Sequence, residues 1–254
     1  MNSEDFQILY QIEETHWWFV GMREIMSVIL NSEIDTLSNP KVLDAGCGTG
    51  MMLSWLKRHT KGATVYGVDS SQEALTFCSR RGDERLLQCD ICSLPFASNT
   101  FRFITCLDVL QQVPHGFDTN ALSELYRVLA PGGLLYIRVA ANQWLWSGHD
   151  RAINTCHRYN LYEIKEKLLR VGFTVSRSTY VNTLLFPAAI LIRLYKKLRL
   201  HTAKSDVKPL PKGLTWLNQV LMAALKIEAQ YLKKPWRKFP MGLSAVCLAH
   251  KKSC

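Results

Sequence analysis

The sequence lacks any run of roughly 18 consecutive apolar residues, the length that a membrane-spanning helix requires. Its first ten residues are polar and acidic, whereas a secretory signal has a basic start and an apolar centre. Internal repeats and low-complexity tracts are absent as well. With 254 residues and 48% hydrophobic content, the chain is therefore expected to bury one large core, with or without an insertion, in the cytoplasm.

Paired cysteine motifs are also scarce. The eight cysteines are scattered and several lie in apolar runs, which is typical of reduced, buried thiols rather than of a disulfide framework. Cys89 and Cys92 form a lone CxxC without the second pair that a zinc site would need. The sequence therefore predicts no metal site, and a set made of His149, His157 and Asp150 is the weaker alternative.

Acidic side chains are few in the later part of the chain. Residues 151–254 contain 20 basic and 4 acidic side chains, whereas residues 1–150 contain 11 basic and 17 acidic. This imbalance indicates either a lysine-rich surface in water or a surface that faces an anion, such as a lipid surface, a nucleic acid or a phosphorylated substrate. A nucleic acid is the least favoured partner, because no recognised binding module and no basic stripe with stacking aromatics occur.

What the sequence does contain is a short apolar run, an acid and three glycines at alternate positions, VLDAGCGTG at residues 42–50. The pattern predicts a buried strand that enters a tight turn, because glycine adopts positive φ without strain and lets a ligand approach the backbone. The glycines alone leave the ligand open, since dinucleotide-binding proteins carry a similar pattern.

Apolar β-rich runs alternate with amphipathic helical patterns along most of the chain. The predicted strands cover residues 42–45, 64–68, 86–89, 103–107, 134–139 and 173–181, and the predicted helices residues 21–37, 50–59, 71–80, 119–129 and 161–171. This alternation predicts a doubly wound parallel sheet. Ser70 and Glu73 are typical of a capping box at a helix start. Residues 131–133, Pro-Gly-Gly, predict a turn before the fifth strand.

Residues 183–240 interrupt the alternation. They contain two amphipathic stretches, residues 184–200 and 214–232, joined by a linker with lysines and prolines, and a last predicted strand follows at residues 243–250. This predicts a helical insertion that starts on the ligand-binding edge of the sheet and acts as a lid or a substrate cap. Residues 184–192 are strongly apolar and the basic residues Arg193, Lys196, Lys197 and Arg199 follow, so the segment either contacts an anionic membrane interface or packs on its own domain.

Two acids follow the second and third predicted strands. Asp69 is placed to accept hydrogen bonds from both hydroxyls of an adenosine ribose, as in dinucleotide-binding folds. Asp90 is a candidate partner for an adenine amino group, and Ile91 for its ring. Asp90 as an exposed loop acid is the alternative.

With these segments in place, the chain resembles the class I S-adenosylmethionine-dependent methyltransferases of the ubiquinone-biosynthesis-like kind. The segments that carry the resemblance stand in the family's order and spacing: VLDAGCGTG (42–50), GVD (67–69), LPF (94–96), DVL (108–110) and RVLAPGG (127–133). The resemblance implies an α/β fold with a Rossmann-like sheet of seven strands, helices on both faces, an antiparallel last strand and a helical insertion between the last two strands. The expected organisation is a helical cap (1–40), a cofactor-binding core (41–182 and 241–254) and the insertion (183–240).

By this resemblance, Asp44 and the glycine turn hold the methionine part of S-adenosylmethionine, and residues that follow the fourth strand lie beside the sulfonium. The cofactor-binding residues expected are Asp44, Gly46, Cys47, Gly48, Gly50, Asp69, Ser70, Asp90, Ile91, Leu107 and Asp108, with Arg23 as a candidate for the methionine carboxylate. The sequence departs from the family pattern in two ways. Arg102 stands where an acid is usual, and Gln111 and Gln112 replace a glutamate and a histidine, so no base can be inferred there.

The flanking segments resemble a narrower bacterial subfamily of these enzymes. Its marks are EETHWWF (13–19), WLWSGHD (144–150) followed by HRY (157–159), and FPMGLS (239–244). The first segment precedes the core and is expected either to cover the cofactor as a lid or to staple its helix to the core. The subfamily resemblance does not fix the methyl acceptor.

The loop after the fifth strand carries the candidates for acceptor chemistry. His149 and His157 are candidate bases, because histidine titrates near neutrality, although either one is also suited to anchoring the loop. Candidate acceptor-binding residues are Trp18, Gln112, Trp144, Trp146 and Tyr159.

The sequence thus predicts a methyltransferase that moves a methyl group to O, N or C of a small apolar or amphipathic acceptor. Three alternatives stay open: a protein that binds S-adenosylmethionine without turnover, a nicotinamide-dependent oxidoreductase, and an adaptor at the membrane surface. Neither the acceptor nor the oligomeric state follows from the sequence.

Overall fold

The computed structural model describes residues 3–198 and 213–253. Its seven strands are β1 (Lys41–Ala45), β2 (Thr64–Asp69), β3 (Leu86–Gln88), β4 (Phe101–Leu107), β5 (Leu129–Ala140), β6 (Phe173–Val181) and β7 (Ser244–Lys251). Its α-helices are α1 (Ser3–Ile12), α2 (Trp17–Asp35), α3 (Met51–His59), α4 (Gln72–Arg80), α5 (Asp118–Val128), α6 (Gly148–Ala152), α7 (Leu161–Val171), α8 (Phe186–Leu198) and α9 (Thr215–Leu232).

The strands form one sheet in the order β3-β2-β1-β4-β5-β7-β6. Strands β1 to β5 pair in parallel, whereas β7 lies antiparallel between β5 and β6. Helices α8 and α9 occupy the connection between β6 and β7. The predicted fold class, with its antiparallel last strand and helical insertion, is confirmed.

The sheet buries side chains on both faces, because successive residues of a strand point to opposite sides. In β1, Leu43 and Ala45 belong to the core cluster that includes side chains of α5 and α7, and Val42 belongs to the cluster that includes side chains of α2, α3 and α9. All three are fully buried, as both faces of a doubly wound sheet require.

Helix α9 packs closely on α2. A Cβ at Gly21 would lie 2.3 Å from Leu225 Cδ1, so glycine at this position is what permits the close approach. The Trp17 amide donates to Asn218 Oδ1 at 2.8 Å, which fixes the start of α2 against α9. Glu228 of α9 is buried and accepts from the amides of Asn182, Thr183 and Leu184, so it fixes the chain where it leaves β6.

Several predicted boundaries were wrong in instructive ways. The Pro-Gly-Gly segment (131–133) does not precede the fifth strand but lies within β5, where five steps of β5, from Leu129 to Leu134, stand against two steps of β4 as a bulge. The cap of α4 is Ser71, whose Oγ accepts from the Ala74 amide at 3.3 Å, and not Ser70. Helix α1 was not predicted as a separate element. Residues 199–212, with the predicted linker and Arg199, and the side chains of Lys196 and Lys197, lie outside the description.

Candidate functional site

The carboxyl ends of β1, β2, β4 and β5 meet at one edge of the sheet, since these strands run in parallel. The register places Ala45 beside Val68 and Leu107 beside Arg138. The glycine turn, Asp69 and Asp108 therefore converge on this edge, where ligands bind in open α/β sheets.

The glycine turn has the geometry that its sequence predicts. Gly46, Gly48 and Gly50 have φ values of 84°, 54° and 89°, a region that other residues enter only with strain. A Cβ at Gly46 would lie 2.0 Å from Val109 Cγ2, so this glycine is required by packing. A Cβ at Gly48 would meet nothing within 4 Å, so the turn leaves open space over its centre.

Asp44 is the buried acid beneath the turn. Its Oδ1 accepts a hydrogen bond from the Thr105 hydroxyl at 2.6 Å. Burial, together with the nearby charge of Asp69, raises the pKa of Asp44 to about 7 against the effect of that hydrogen bond. A cation that approaches the turn would therefore lower the pKa of Asp44 and favour its ionised form.

Asp69 connects β2 to the glycine turn. Its two carboxylate oxygens accept from the amides of Gly48 and Ser71, each at 2.9 Å. Burial raises its pKa above the ordinary value, although these amides oppose the change. Each oxygen keeps a further lone pair, so the carboxylate is able to accept additional hydrogen bonds from a ligand. The neighbouring Ser70 is exposed, and its carbonyl accepts from Gln88 Nε2.

The residues after β3 divide between surface and core. Asp90 is exposed, and its Oδ1 accepts from the Cys92 amide at 2.8 Å. Ile91 is buried in the core cluster with Leu94. Their expected roles toward an adenine ring stay predictions.

An ion pair that the sequence did not reveal holds the segment after β4. Asp108 has φ of 59° and its Oδ2 lies 2.5 Å from Arg138 Nη2. The Arg138 guanidinium also lies over the Trp18 ring, 4.9 Å from its centroid, which is a cation–π contact. Arg138 is buried in a strand that is otherwise without charge. This single charge in the β5 sequence was the feature from which a buried ion pair could have been predicted.

A second network ties the end of α1 to the glycine turn. The Thr49 hydroxyl donates to Glu13 Oε1 at 2.6 Å, and Arg81 Nη2 lies 2.8 Å from the same oxygen. Arg81 Nε also donates to the Thr49 carbonyl at 3.0 Å. Burial raises the pKa of Glu13, against the effect of the Thr49 hydrogen bond and the Arg81 charge.

Arg23 of α2 reaches back to the connection between α1 and α2. Its Nη1 donates to the Glu13 carbonyl at 2.8 Å and its Nη2 to the Glu14 carbonyl at 3.3 Å. The guanidinium thus stabilises this connection, and its expected contact with a methionine carboxylate stays a prediction. Trp18, on the same helix as Arg23, stacks on the Arg138 guanidinium of β5. This contact places the aromatic segment beside the sheet edge.

The loop after β5 is held by a buried ion pair. Asp150 Oδ1 lies 2.7 Å from Arg158 Nε, and both side chains are almost fully buried. Arg158 Nη1 also donates to the Ala141 carbonyl at 2.9 Å, and the Ser147 amide donates to Asp150 Oδ2. His149 is half-buried in the short helix α6 of this loop. The pair therefore fixes the segment that carries the candidate base.

The second candidate base is engaged elsewhere. His157 Nε2 lies 2.9 Å from Glu163 Oε1, and the His157 ring stands edge-on to Tyr159 at 4.6 Å between centroids. This arrangement anchors the loop to the start of α7, which is the alternative that the sequence left open. Within residues 3–198 and 213–253, no group of three or more His, Cys, Asp or Glu side chains is arranged to hold a metal ion.

The expected acceptor-binding residues separate into buried and exposed ones. Tyr159 is 1% exposed and its hydroxyl donates to Asp118 Oδ2 at 3.1 Å, so it packs in the core here, and its expected role as an acceptor-binding residue stays a prediction. Gln112 is exposed and donates to the Asp108 carbonyl. Trp144 is 59% exposed and stands edge-on to Phe186 of α8, and Trp146 is exposed beside it.

Gln111, next to Gln112, has a structural role. Its Oε1 accepts from the Ala140 amide, and its carbonyl accepts from the amides of Cys156 and His157. These contacts join the segment after β4 to the loop after β5. The glutamine pair therefore supports the geometry of the site edge, a role that its sequence position alone did not indicate.

Comparisons with known proteins agree with this geometry. Residues 43–137 match the family described as Methyltransferase domain, so the expected class I methyltransferase domain is confirmed there. The chain is 34% identical to methyltransferase GfsG of Streptomyces halstedii, over 45% of this chain and 42% of the relative. It is 35% identical to the demethylmenaquinone methyltransferase of Thermus thermophilus, over 38% and 46%. The chain thus spans about half the length of the curated relatives it matches.

Solved structures share the fold. The [4+2]-cyclase SpnF superposes with a TM-score of 0.59 at 21% identity, covering 91% of this chain and 81% of that one. Phosphoethanolamine N-methyltransferase 2 of Haemonchus contortus, in complex with S-adenosyl-L-methionine, superposes with a TM-score of 0.58 at 20% identity, covering 91% and 52%. Because one of these is named as a cyclase, the fold alone does not establish the reaction.

Proposed function

We propose that this chain, whose residues 43–137 match the methyltransferase domain family, is an S-adenosylmethionine-dependent methyltransferase acting on a small-molecule acceptor. The observation that carries the proposal is the open glycine turn flanked by two acids. Gly48 has φ of 54°, and a Cβ at this position would meet no atom within 4 Å. The carboxylates of Asp44 and Asp69 lie at the ends of the two adjacent strands.

The residues present fit this cofactor. A cation near Asp44 would favour the ionised form of a carboxyl whose pKa is about 7, and a bound amino group supplies such a cation. Asp69 keeps lone pairs for the ribose hydroxyls, as the sequence predicts. Asp108, held by Arg138, and Leu107 stand at the end of β4, next to the turn.

S-Adenosylmethionine, when bound, supplies a methyl group on a sulfonium that is already an activated leaving group. The protein therefore needs chiefly to orient the acceptor and exclude water. Trp18, which stands over Arg138, would cover the site from α2. The ion pair of Asp150 with Arg158 would hold the loop after β5 in place. His149 is the candidate for removing a proton from the acceptor.

The proposal extends to an apolar or amphipathic acceptor. Trp144 and Trp146 are exposed on the loop after β5, and Trp144 contacts Phe186 at the start of α8. An acceptor entering between this loop and the insertion would meet aromatic and aliphatic surface. Quinone-like rings, secondary metabolites and lipid-linked sugars all have this character.

Transfer of a labelled methyl group tests the reaction. The chain is incubated with S-adenosylmethionine labelled in its methyl group and a panel of phenolic, amine and lipid-linked acceptors, and product is counted after extraction. The proposal predicts label in at least one acceptor class, lost in Asp69→Ala and lowered in His149→Ala more than cofactor affinity is. Cofactor binding without transfer to any acceptor class would favour the non-catalytic alternative.

A further inference from the structure

Helix α9 carries an apolar stripe on the face that turns away from α2. Its inner face buries Leu225, Ala229 and Leu232. Its outer face exposes side chains spaced four, three, four and four residues apart, which places them in one row along the helix. This outer stripe consists of Trp216, Val220, Ala223, Ile227 and Tyr231. Trp216, Val220 and Ile227 are 59%, 55% and 64% exposed. Tyr231, at the end of the stripe, is partly covered by Phe239 and Arg237, whose ring and guanidinium each lie 4.7 Å from its ring centroid.

Helix α8 and the residues just before it also expose a row of apolar side chains. The exposed apolar residues are Leu184, which precedes the helix, and Pro187, Ala188, Leu191 and Ile192 within it, with Leu191 68% exposed. A surface helix of a globular protein ordinarily turns such a row toward the core. The helix is instead attached to the loop after β5 by Arg193, whose Nη1 donates to the Leu145 carbonyl at 2.6 Å.

The charges around these stripes have one sign. Residues 213–241 contain the basic side chains Lys226, Lys233, Lys234, Arg237 and Lys238. The one acid in residues 183–193 and 213–241 is Glu228, and it is fully buried among backbone amides. Trp236 is 74% exposed beneath the Lys234 ammonium, which lies 5.5 Å from its ring centroid. Aromatic and aliphatic side chains with adjacent cations suit the headgroup region of a bilayer.

We infer that the outer stripe of α9, the exposed row of α8 and the basic segment 233–238 form a docking surface for an anionic lipid bilayer. The charge decides between occupants, because a second copy of this surface would bring like charges together and would bury them. An anionic leaflet instead complements the lysines and accepts the apolar rows. Among the described residues, no helix is long and apolar enough to cross a bilayer, so the contact is at the interface.

The docking surface adjoins the sheet edge that carries the candidate site. Phe186 of α8 contacts Trp144, and Arg193 binds the same loop at Leu145. If the proposed function holds, a docked molecule would meet acceptors that reside in the membrane. The docking itself rests on the surface alone and is independent of methyl transfer.

Vesicle flotation of the full chain tests the docking. Vesicles of phosphatidylcholine are compared with vesicles that also contain phosphatidylglycerol. The wild type is expected to float with the anionic vesicles only, and less at high salt. Trp216→Glu with Ile227→Glu should lower the partition coefficient roughly tenfold or more, because two apolar side chains that would enter the bilayer become charged. Lys233→Glu with Lys234→Glu should lower it by roughly 25-fold or more, because each lysine near an anionic surface contributes roughly fivefold.

A matched control lies on the other face of the sheet. Tyr162 of α7 is 73% exposed, and Tyr162→Glu should float as the wild type does. Circular dichroism and binding of S-adenosylhomocysteine check that each variant is folded. Equal binding to both vesicle types, or unchanged flotation of Trp216→Glu with Ile227→Glu, would overturn the inference. So would a dimer, seen by light scattering, that this variant dissociates. Loss of flotation with S-adenosylhomocysteine binding intact would leave the proposed function standing.

Discussion

The sheet edge buries charged side chains in ion pairs, whereas the helical insertion exposes apolar side chains. At the edge, buried charges have partners close by, such as Asp108 with Arg138 and Asp150 with Arg158. In the insertion, the buried acid Glu228 fixes the backbone while the outer stripe of α9 faces away from the protein. The edge thus pairs these buried charges within the described chain, whereas the insertion leaves an apolar surface exposed, which the proposed bilayer contact would cover.

The largest difference in the free energy of unfolding between the two regions is expected from the buried ion pair at the sheet edge. Asp150→Asn leaves the Arg158 guanidinium buried without its counter-charge, which should cost about 3–5 kcal/mol of the free energy of unfolding. In the insertion, Arg193→Met removes the hydrogen bond to the Leu145 carbonyl and should cost about 1 kcal/mol. Urea denaturation measures both. Equal costs would mean that the two regions are fixed to the same degree.

The next effect concerns Asp44 and pH. Its pKa in the folded chain is about 7, above the ordinary value of 3.8, so the folded state favours the protonated form. Stability from this group is present below pH 3.8, is lost as pH rises toward 7 and stays lost above it. Asp44→Asn, which still accepts from Thr105, should be more stable than the wild type above pH 7, by about 2–4 kcal/mol.

The measurement is the free energy of unfolding between pH 4 and pH 8, with exposed Asp35→Asn as the control. A stability difference between Asp44→Asn and the wild type that does not grow with pH would contradict the assigned burial effect.

The glycine turn allows a comparison within one segment. Gly46→Ala combines positive φ with a clash against Val109 and should cost about 2–3 kcal/mol. Gly48→Ala meets no atom within 4 Å and should cost about 1 kcal/mol in stability. Its methyl group would, however, enter the space assigned to the ligand. Chemical denaturation with and without S-adenosylhomocysteine separates these effects, and a Gly48→Ala variant that the ligand stabilises as strongly as the wild type would remove Gly48 from the site.

The smallest stability effect is expected on the outer stripe of α9. Ile227→Gln should change the free energy of unfolding by less than about 0.5 kcal/mol, because the side chain is already exposed. Leu225→Ala on the inner face of the same helix should cost about 2–5 kcal/mol. A large loss for Ile227→Gln in thermal unfolding would indicate that the stripe is covered within the chain.

The parts that sequence reasoning predicted are those set by local pattern. The short apolar runs of β1 and β2 and the glycines of residues 46–50 are sufficient to place these two strands and the turn. The acids Asp44 and Asp69 follow from their positions at strand ends. Such features depend on a few neighbouring residues, so they are visible in one sequence.

The parts that it missed depend on contacts between distant segments. Arg138 meets Asp108 thirty residues away, and Arg81 meets Glu13 at a separation of 68 residues. The hydrogen bond of the buried Tyr159 to Asp118 joins residues 41 positions apart. The Ser70 cap was wrong by one position, because Asp69 binds the Ser71 amide and shifts the helix start. Pairings of this kind need the fold before they can be assigned.

Isothermal titration of S-adenosylhomocysteine into the purified chain measures whether Asp69 and the glycine turn hold the cofactor. We expect binding at one site for the wild type and for the surface control Asp35→Asn. Affinity should be weaker by roughly tenfold or more in Asp69→Ala, where charge-assisted hydrogen bonds to the ribose are lost. Absence of binding to the wild type, or equal affinity in Asp69→Ala, would contradict this assignment.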